Sequence, residues 1–397
     1  MAAESGNDGD TGGEEEDKVA VLEPISPEDL IVGQPTPYPI YDAYERLLLS
    51  EGSPVKSTTQ QLTLARVGRM RTLVPRHRPP PADFDPFHEL RRCASALDQA
   101  FKSVGSGEGH LRRGIDAMIV RLGNLIDLDA DAALGAAHLE KRFPGRVIHP
   151  LRQAILCDIV ARGVSMEGPR RRALVGAALT ANLGMLNIQD ELDQQTSPLT
   201  SDQRHAIRQH PQRSADILRR EQLNDEDWLR IVLEHHERLD GSGYPWGLSR
   251  EHISDQACIL MIADSYMAMV TPRPFKKKLL GVRGALRELY ENAGKLYHEH
   301  FVNAFIKEIG VFPPGTFVGL ASGETALVVR RGAAGTRPRI YVFADEQGQP
   351  LESPAPKDLA TEESVEIASV YRAENVSATV VPQEAWGYPV PGGGGPP

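Results

Sequence analysis

Cysteine is scarce in this chain. Its three thiols, Cys93, Cys157 and Cys258, lie far apart among 397 residues and show no CxxC spacing. That argues against a disulfide framework and fits a reducing compartment. Positive charge is in deficit, with 44 Lys and Arg against 54 Asp and Glu and a net charge of -10. Duplex nucleic acid, which calls for a basic face, is therefore excluded as a partner, and an anionic small ligand has to be held by local cations or metals. Long apolar runs are missing: none reaches the ~18 residues of a membrane span. The stretch 1–17 is acidic and glycine-rich, with neither an apolar h-region nor a basic n-region. The expectation is a cytoplasmic protein without a membrane span or secretion signal.

What is present divides the chain by texture. Residues 1–20 are acidic and of low complexity, which predicts a disordered tail. Over 28–73, the run Tyr38-Pro39-Ile40-Tyr41 and the run Arg46-Leu47-Leu48-Leu49 flank a turn and read as a hairpin, followed by a short helix over 57–68. This predicts a small N-terminal α+β module, with a proline-rich linker over 74–86. From 87 to 309 nearly everything has helical period: 88–104, 110–126 and 129–141 carry i, i+3, i+4 apolar spacing with short polar joints. No β-α alternation appears. The fold class is mainly α, a helical bundle of about nine or ten elements. From 310 to 381 the runs 316–320, 326–329 and 339–343 are strand-like between Gly- and Pro-bearing turns, a C-terminal β subdomain, and 382–397 reads as a disordered tail.

The chemistry concentrates at His235-His236-Glu237-Arg238-Leu239-Asp240-Gly241-Ser242-Gly243-Tyr244-Pro245. Helical period over 225–237 places both imidazoles on inward stripes, and the glycines and Pro245 end the helix directly after them. A lone inward histidine is usually a hydrogen-bonded core residue, whereas two in succession followed by Glu suit a divalent metal. Asp264 lies in the apolar run 259–269 and needs a cation, a metal or good donors; a buried Asp with backbone or tyrosine donors is the alternative. His210 precedes Pro211 in a helix that starts at a Thr200/Gln203 capping box; the proline is expected to interrupt that helix and leave a wetter site. Alone, His210 could equally be an exposed loop residue. His149, ahead of Pro150 near a helix start, is a weaker candidate.

The string HHERLDGSGYP resembles the signature of the HD-GYP family, a bacterial branch of the HD metal-dependent phosphohydrolases whose active members hydrolyse cyclic di-GMP. The likeness runs from about 148 to 309 and takes in His210-Pro211, Ile262-Ala263-Asp264-Ser265-Tyr266 and Arg273-Pro274-Phe275-Lys276. It implies an HD-type helical bundle flanked by small N-terminal and C-terminal β-containing subdomains. It also implies metal ligation by His149, His210, His235, His236 and Asp264, and nucleotide contacts from Tyr244, Arg273 and Lys276. The basic cluster at 273–278 can alternatively be a solvated helix start.

The eponymous HD pair is absent. Family members carry a segment like HDIGK, and this chain reads Ala181-Asn182-Leu183-Gly184-Met185. The histidine has become Ala181, the metal-bridging Asp has become Asn182 and the Lys has become Met185; an acidic position four residues before His149 is Gly145. A neutral amide is a poor bridge between two cations. The implied cofactor is one divalent ion (iron, zinc, manganese or nickel) on His210, His235 and His236, or none. The expected function is a degenerate HD-GYP signalling protein that binds cyclic di-GMP, a related cyclic dinucleotide or a partner such as a diguanylate cyclase domain, with hydrolysis lost or impaired. The alternatives are a working single-ion phosphodiesterase, with Glu237 or Asp264 assisting catalysis, and a nucleotide-independent scaffold.

Overall fold

The computed structural model describes residues 18–390 apart from 26–28, 42–46, 76–83, 106–109, 272–279, 333–335, 363, 372–374 and 377. The chain divides into two compact units, Met1–Pro80 and Pro81–Pro397. In the first, β1 (Lys18–Pro24), β2 (Ile40–Tyr41), β3 (Leu47–Leu49) and β4 (Arg69–Pro75) form an antiparallel sheet in the order β1-β4-β2-β3. Ile40 pairs with Leu49, as a hairpin over 38–49 requires. Helix α1 (Thr58–Val67) begins where the Ser57 side chain accepts from the Gln60 amide. Ile25, Leu30, Ile40, Val55 and Leu64 make its core. Two expectations are corrected: β1 begins at Lys18, inside the stretch read as a tail, and β4 runs to Pro75, inside the stretch read as a linker. Lys18 and Pro75 are partners across the ladder, and such long-range pairing outweighs local composition.

The second unit is built on α2 (Pro86–Lys102), α3 (His110–Leu139), α4 (Gly145–Gly163), α5 (Gly168–Thr180), α6 (Leu186–Gln194), α7 (Ser201–Arg220), α8 (Glu226–Glu234), α9 (Asp255–Val270), α10 (Gly281–Glu291) and α11 (Glu299–Ile309). The axis of α3 breaks at Asp129, whose φ of -160° and ψ of 92° are non-helical. Its carboxylate accepts from the Ala132 amide at 2.8 Å, capping the second half where the sequence predicts a new helix. Helices α4 and α9 are buried on almost every side, α4 packing against α3, α5, α9 and α11. Polar side chains on these two helices therefore need partners inside the bundle.

A five-stranded antiparallel sheet follows in the order β8-β7-β6-β5-β9: β5 (Phe317–Leu320), β6 (Thr325–Arg330), β7 (Arg339–Ala344), β8 (Pro350–Asp358) and β9 (Ile367–Tyr371). The stretch from 382, read as a disordered tail, contains helix α12 (Pro382–Trp386), which corrects that reading. Trp386 is buried, with its ring against the backbone of Gly135 and edge-on to Phe87 at 5.3 Å. Burial of one indole anchors a segment whose composition is that of a linker. Among the described residues no helix is long and apolar enough to cross a membrane.

Candidate metal centre

Helix α7 opens with the reciprocal Thr200/Gln203 capping box. It runs unbroken through Pro211, contrary to the expected interruption. The proline removes one amide, which frees the Ile207 carbonyl four residues earlier. His210 takes up that acceptor, its Nδ1 lying 2.6 Å from Ile207 O. Helix α8 ends at Glu234, and His235 caps it with Nδ1 2.6 Å from Val232 O, another carbonyl left over at a helix end. A carbonyl can only accept, so both Nδ1 atoms carry the proton and both Nε2 atoms present lone pairs.

Those two Nε2 atoms face each other at 3.1 Å. His210 and His235 are 1% and 0% exposed, and burial pushes their proton affinity down, His210 to about 3 with His235 contributing. Neither ring gains a second proton near neutrality, so two lone pairs converge with no hydrogen between them. Nitrogens held about 2.0–2.1 Å from one ion stand about 2.9–3.4 Å apart for right-angle to tetrahedral geometry, so the observed gap suits a shared cation. The His236 ring lies 4.1 Å from His235 and 4.9 Å from His210, centroid to centroid. Ligand atoms of all three fall within 4.8 Å of one another. Burial and the His235 ring lower the proton affinity of His236 as well. Three neutral imidazoles make a donor set that fits a borderline divalent ion.

The loop after α8 roofs this cluster. Glu237 is fully buried, and its two oxygens accept from the Trp246 and Leu248 amides, each at 2.8 Å. Gly243 lies so close to the backbone of Glu237 and Arg238 that a Cβ there would stand 2.4 Å from Arg238 N. This tight return brings Tyr244 onto His236, stacked at 4.7 Å, with the exposed Arg208 guanidinium 5.1 Å from the Tyr244 ring centre.

On the other side, α4 and α9 present His149, Gln153 and Asp264. His149 and Gln153 are one turn apart and share a face. Asp264 Oδ1 accepts from Gln153 Nε2 at 2.6 Å and lies 3.5 Å from His149 Nε2; Oδ2 is 3.8 Å from His236 Nδ1. Burial alone would raise this carboxyl, but the hydrogen bond from His149 and the surrounding imidazoles hold it well below the usual carboxylate range. Behind Gln153 stands Asn182, Nδ2 to Oε1 3.5 Å. The 181–185 turn is pinned to α7 through Ser214, whose Oγ accepts from the Gly184 amide at 2.8 Å and donates to Ala181 O at 2.6 Å. Only glycine fits at 184, since a Cβ would sit 2.5 Å from His210 O. Ala181 and Met185 are buried.

Residues 136–300 match the family model described as HD domain. The chain is 29% identical over 273 residues to the cyclic di-GMP phosphodiesterase PA4108 of Pseudomonas aeruginosa, covering 67% of this chain and 66% of that protein. It is 30% identical over 173 residues to the cyclic di-GMP phosphodiesterase response regulator RpfG of Xanthomonas campestris pv. campestris, covering 43% of this chain and 46% of that one. A cyclic di-GMP phosphodiesterase of Thermotoga maritima is 38% identical over 164 residues, covering 40% and 43%. Over residues 136–300 the chain is similar to HD domains, and over a longer stretch to cyclic di-GMP phosphodiesterases. The chain spans 66% of the first of these relatives and less than half of the other two. Among solved structures, Bd1817, a HDG"Y"P protein from Bdellovibrio bacteriovorus, aligns with a TM-score of 0.47 at 14% identity over 73% of this chain and 98% of that one.

The three histidines read from sequence, His210, His235 and His236, come together, and Asp264 lies between His149 and His236 at 3.5 and 3.8 Å. Glu237, named as a candidate for assisting catalysis, has both oxygens committed to the loop backbone. Arg273 and Lys276 lie outside the described residues. Sequence reasoning missed Gln153. Its signal was an amide within the largely apolar run 151–160 of α4.

Proposed function

We propose that this chain is a bacterial cytoplasmic HD-GYP signalling protein linked to cyclic di-GMP, in which hydrolysis is lost or strongly impaired and binding of the nucleotide or of a partner protein carries the output. The observation that carries the reading is the amide clamp on Asp264. Hydrolysis with two ions needs an anionic ligand between them and a carboxylate free to join. Here Asn182 is neutral, Ala181 supplies no ligand, and the Gln153 amide occupies an Asp264 oxygen where a cation would otherwise be.

His210, His235 and His236 would hold a single ion, which when bound supplies Lewis acidity and makes bound water more acidic. The chain's own residues then orient rather than react. Tyr244, stacked on His236, offers a face to the nucleotide, and Arg273 and Lys276 are the proposed phosphate contacts. Glu237 holds the roof of the site, and His149 and Gln153 keep Asp264 ionised and turned toward them. Without a bridging acid and without a cation at Met185, in-line attack loses nucleophile positioning and charge stabilisation, roughly 3 kcal/mol each, about four orders of magnitude in rate together.

The intact imidazole trio favours a second reading, slow single-ion hydrolysis. Turnover of cyclic di-GMP by the purified, metal-analysed chain separates the two. No linear product is expected; product at a rate abolished by His236→Ala would replace the first reading with the second. Absence of cyclic di-GMP binding by an intact fold would leave a nucleotide-independent scaffold.

A further inference from the structure

Arg238 stands two residues after His236 and is mostly buried. Its guanidinium lies 4.9 Å from the Tyr297 ring centre and Nη2 donates to Ser265 Oγ at 3.3 Å, beside Asp264. The other nitrogen, Nη1, is buried and meets no acceptor among the described residues, and the side chain makes no ion pair among them.

Other half-buried arginines of the bundle are treated differently. Arg146 meets Asp98 and Asp190, Arg162 meets Asp127 and Asp158, and Arg152 donates to the carbonyls of Ala137 and Glu140. Arg208, over the Tyr244 ring, is exposed and has water for its charge. A guanidinium withdrawn from water with one fork arm unpaired is a costly arrangement unless something anionic completes it. Among the described residues the nearby carboxylates are engaged elsewhere: Glu237, its sequence neighbour, has both oxygens occupied by amides, and Asp264 is held by Gln153 and His149.

We infer that Arg238 Nη1 is a phosphate-binding group of the imidazole site, donating to an oxygen of a phosphate ligand seated against His210, His235 and His236. Planar, permanently charged and already held by Ser265 and Tyr297, it presents its free arm at little further entropic cost. The inference rests on the proposed function in one respect, that the phosphate belongs to a cyclic dinucleotide.

The test uses the full chain loaded with zinc, with inorganic phosphate and cyclic di-GMP as separate probes. Phosphate affinity, read by phosphorus NMR line broadening, is expected to fall on the order of 10- to 100-fold in Arg238→Gln. Zinc content is expected to stay at the wild-type level. Arg238→Met is expected to lose phosphate affinity likewise while melting no lower than wild type, because it removes a buried charge without an ion-pair partner among the described residues. A residue kept only for structure would show the reverse pattern. If Arg238→Gln does not fold, Arg238→Lys answers the same question, since a single ammonium cannot hold Ser265 and also reach the ligand; a several-fold loss is expected. Wild-type affinity for phosphate in any folded variant, or no phosphate binding by the wild type, overturns the inference. Phosphate binding that depends on Arg238 without any binding of cyclic di-GMP leaves the anion site standing and overturns the nucleotide reading instead.

Discussion

Replacing Gln153 with leucine tests the clamp on Asp264 without opening a cavity. The amide is fully buried and its Nε2 lies 2.6 Å from a carboxylate held ionised, the short distance of a charge-assisted bond. Such a bond contributes about 1.5–3 kcal/mol, and among the described residues the carboxylate left behind keeps His149 at 3.5 Å and His236 at 3.8 Å. Leucine recovers roughly 1 kcal/mol through added apolar surface, so the single substitution alone is ambiguous. A double-mutant cycle with Asp264→Asn, which keeps the shape and removes the charge, isolates the pair. The expected coupling is about 1.5–3 kcal/mol. Urea unfolding of the metal-free chain reads it, followed by the fluorescence of Trp228 and Trp386, both buried in the second unit. Coupling below about 0.5 kcal/mol would mean that the two side chains act independently, and the clamp would have no energetic basis.

Acid should weaken the fold in a defined window. The His210 ring takes a proton at about 3 in the folded chain and near 6.5 when unfolded, so between those values only the unfolded chain is protonated. Stability present above pH 6.5 is then lost as pH falls, by up to about 1.4 kcal/mol per unit from this group, with His235 and His236 acting in the same direction. Asp264, held low, loses its contribution only at more acid pH. A melting series from about pH 7.5 to about pH 4.5 that stays flat would contradict neutral buried imidazoles. Gly184→Ala forces a Cβ to 2.5 Å from His210 O and 2.9 Å from Ser214 N, atoms of a helix backbone that cannot yield alone. A loss of about 2–3 kcal/mol in denaturant unfolding is expected, together with weaker zinc binding because His210 shifts; a change within about 0.5 kcal/mol would show that the contact is slack.

Several features of this site were legible in the sequence because they are local. The Thr200/Gln203 box, the ending of α8 at the histidine pair and the restart of α3 at Asp129 all follow from capping and turn chemistry within a few residues. Less legible was whatever depends on distant partners. Strand β8 carries Pro350, Pro354 and Pro356 and is almost entirely exposed, so no alternation marks it; it lies at the sheet edge, where proline is tolerated. Trp386 sits in a Gly- and Pro-rich stretch, and its anchor Gly135 is far upstream. Gln153 carries no local mark of its task, because its partner Asp264 stands on another helix. The proline after His210 was legible as a source of a free carbonyl but not as compatible with a continuous helix; the histidine's own Nδ1 resolves that, by bonding to Ile207 O.

The most direct test of the rewired centre is the number of divalent ions that each chain binds at saturation, measured by plasma mass spectrometry after zinc or manganese loading and desalting. One ion per chain is expected, lost on His235→Ala and retained on Asp264→Asn. Two ions per chain, or an ion that survives His235→Ala and leaves with Asp264→Asn, would contradict it.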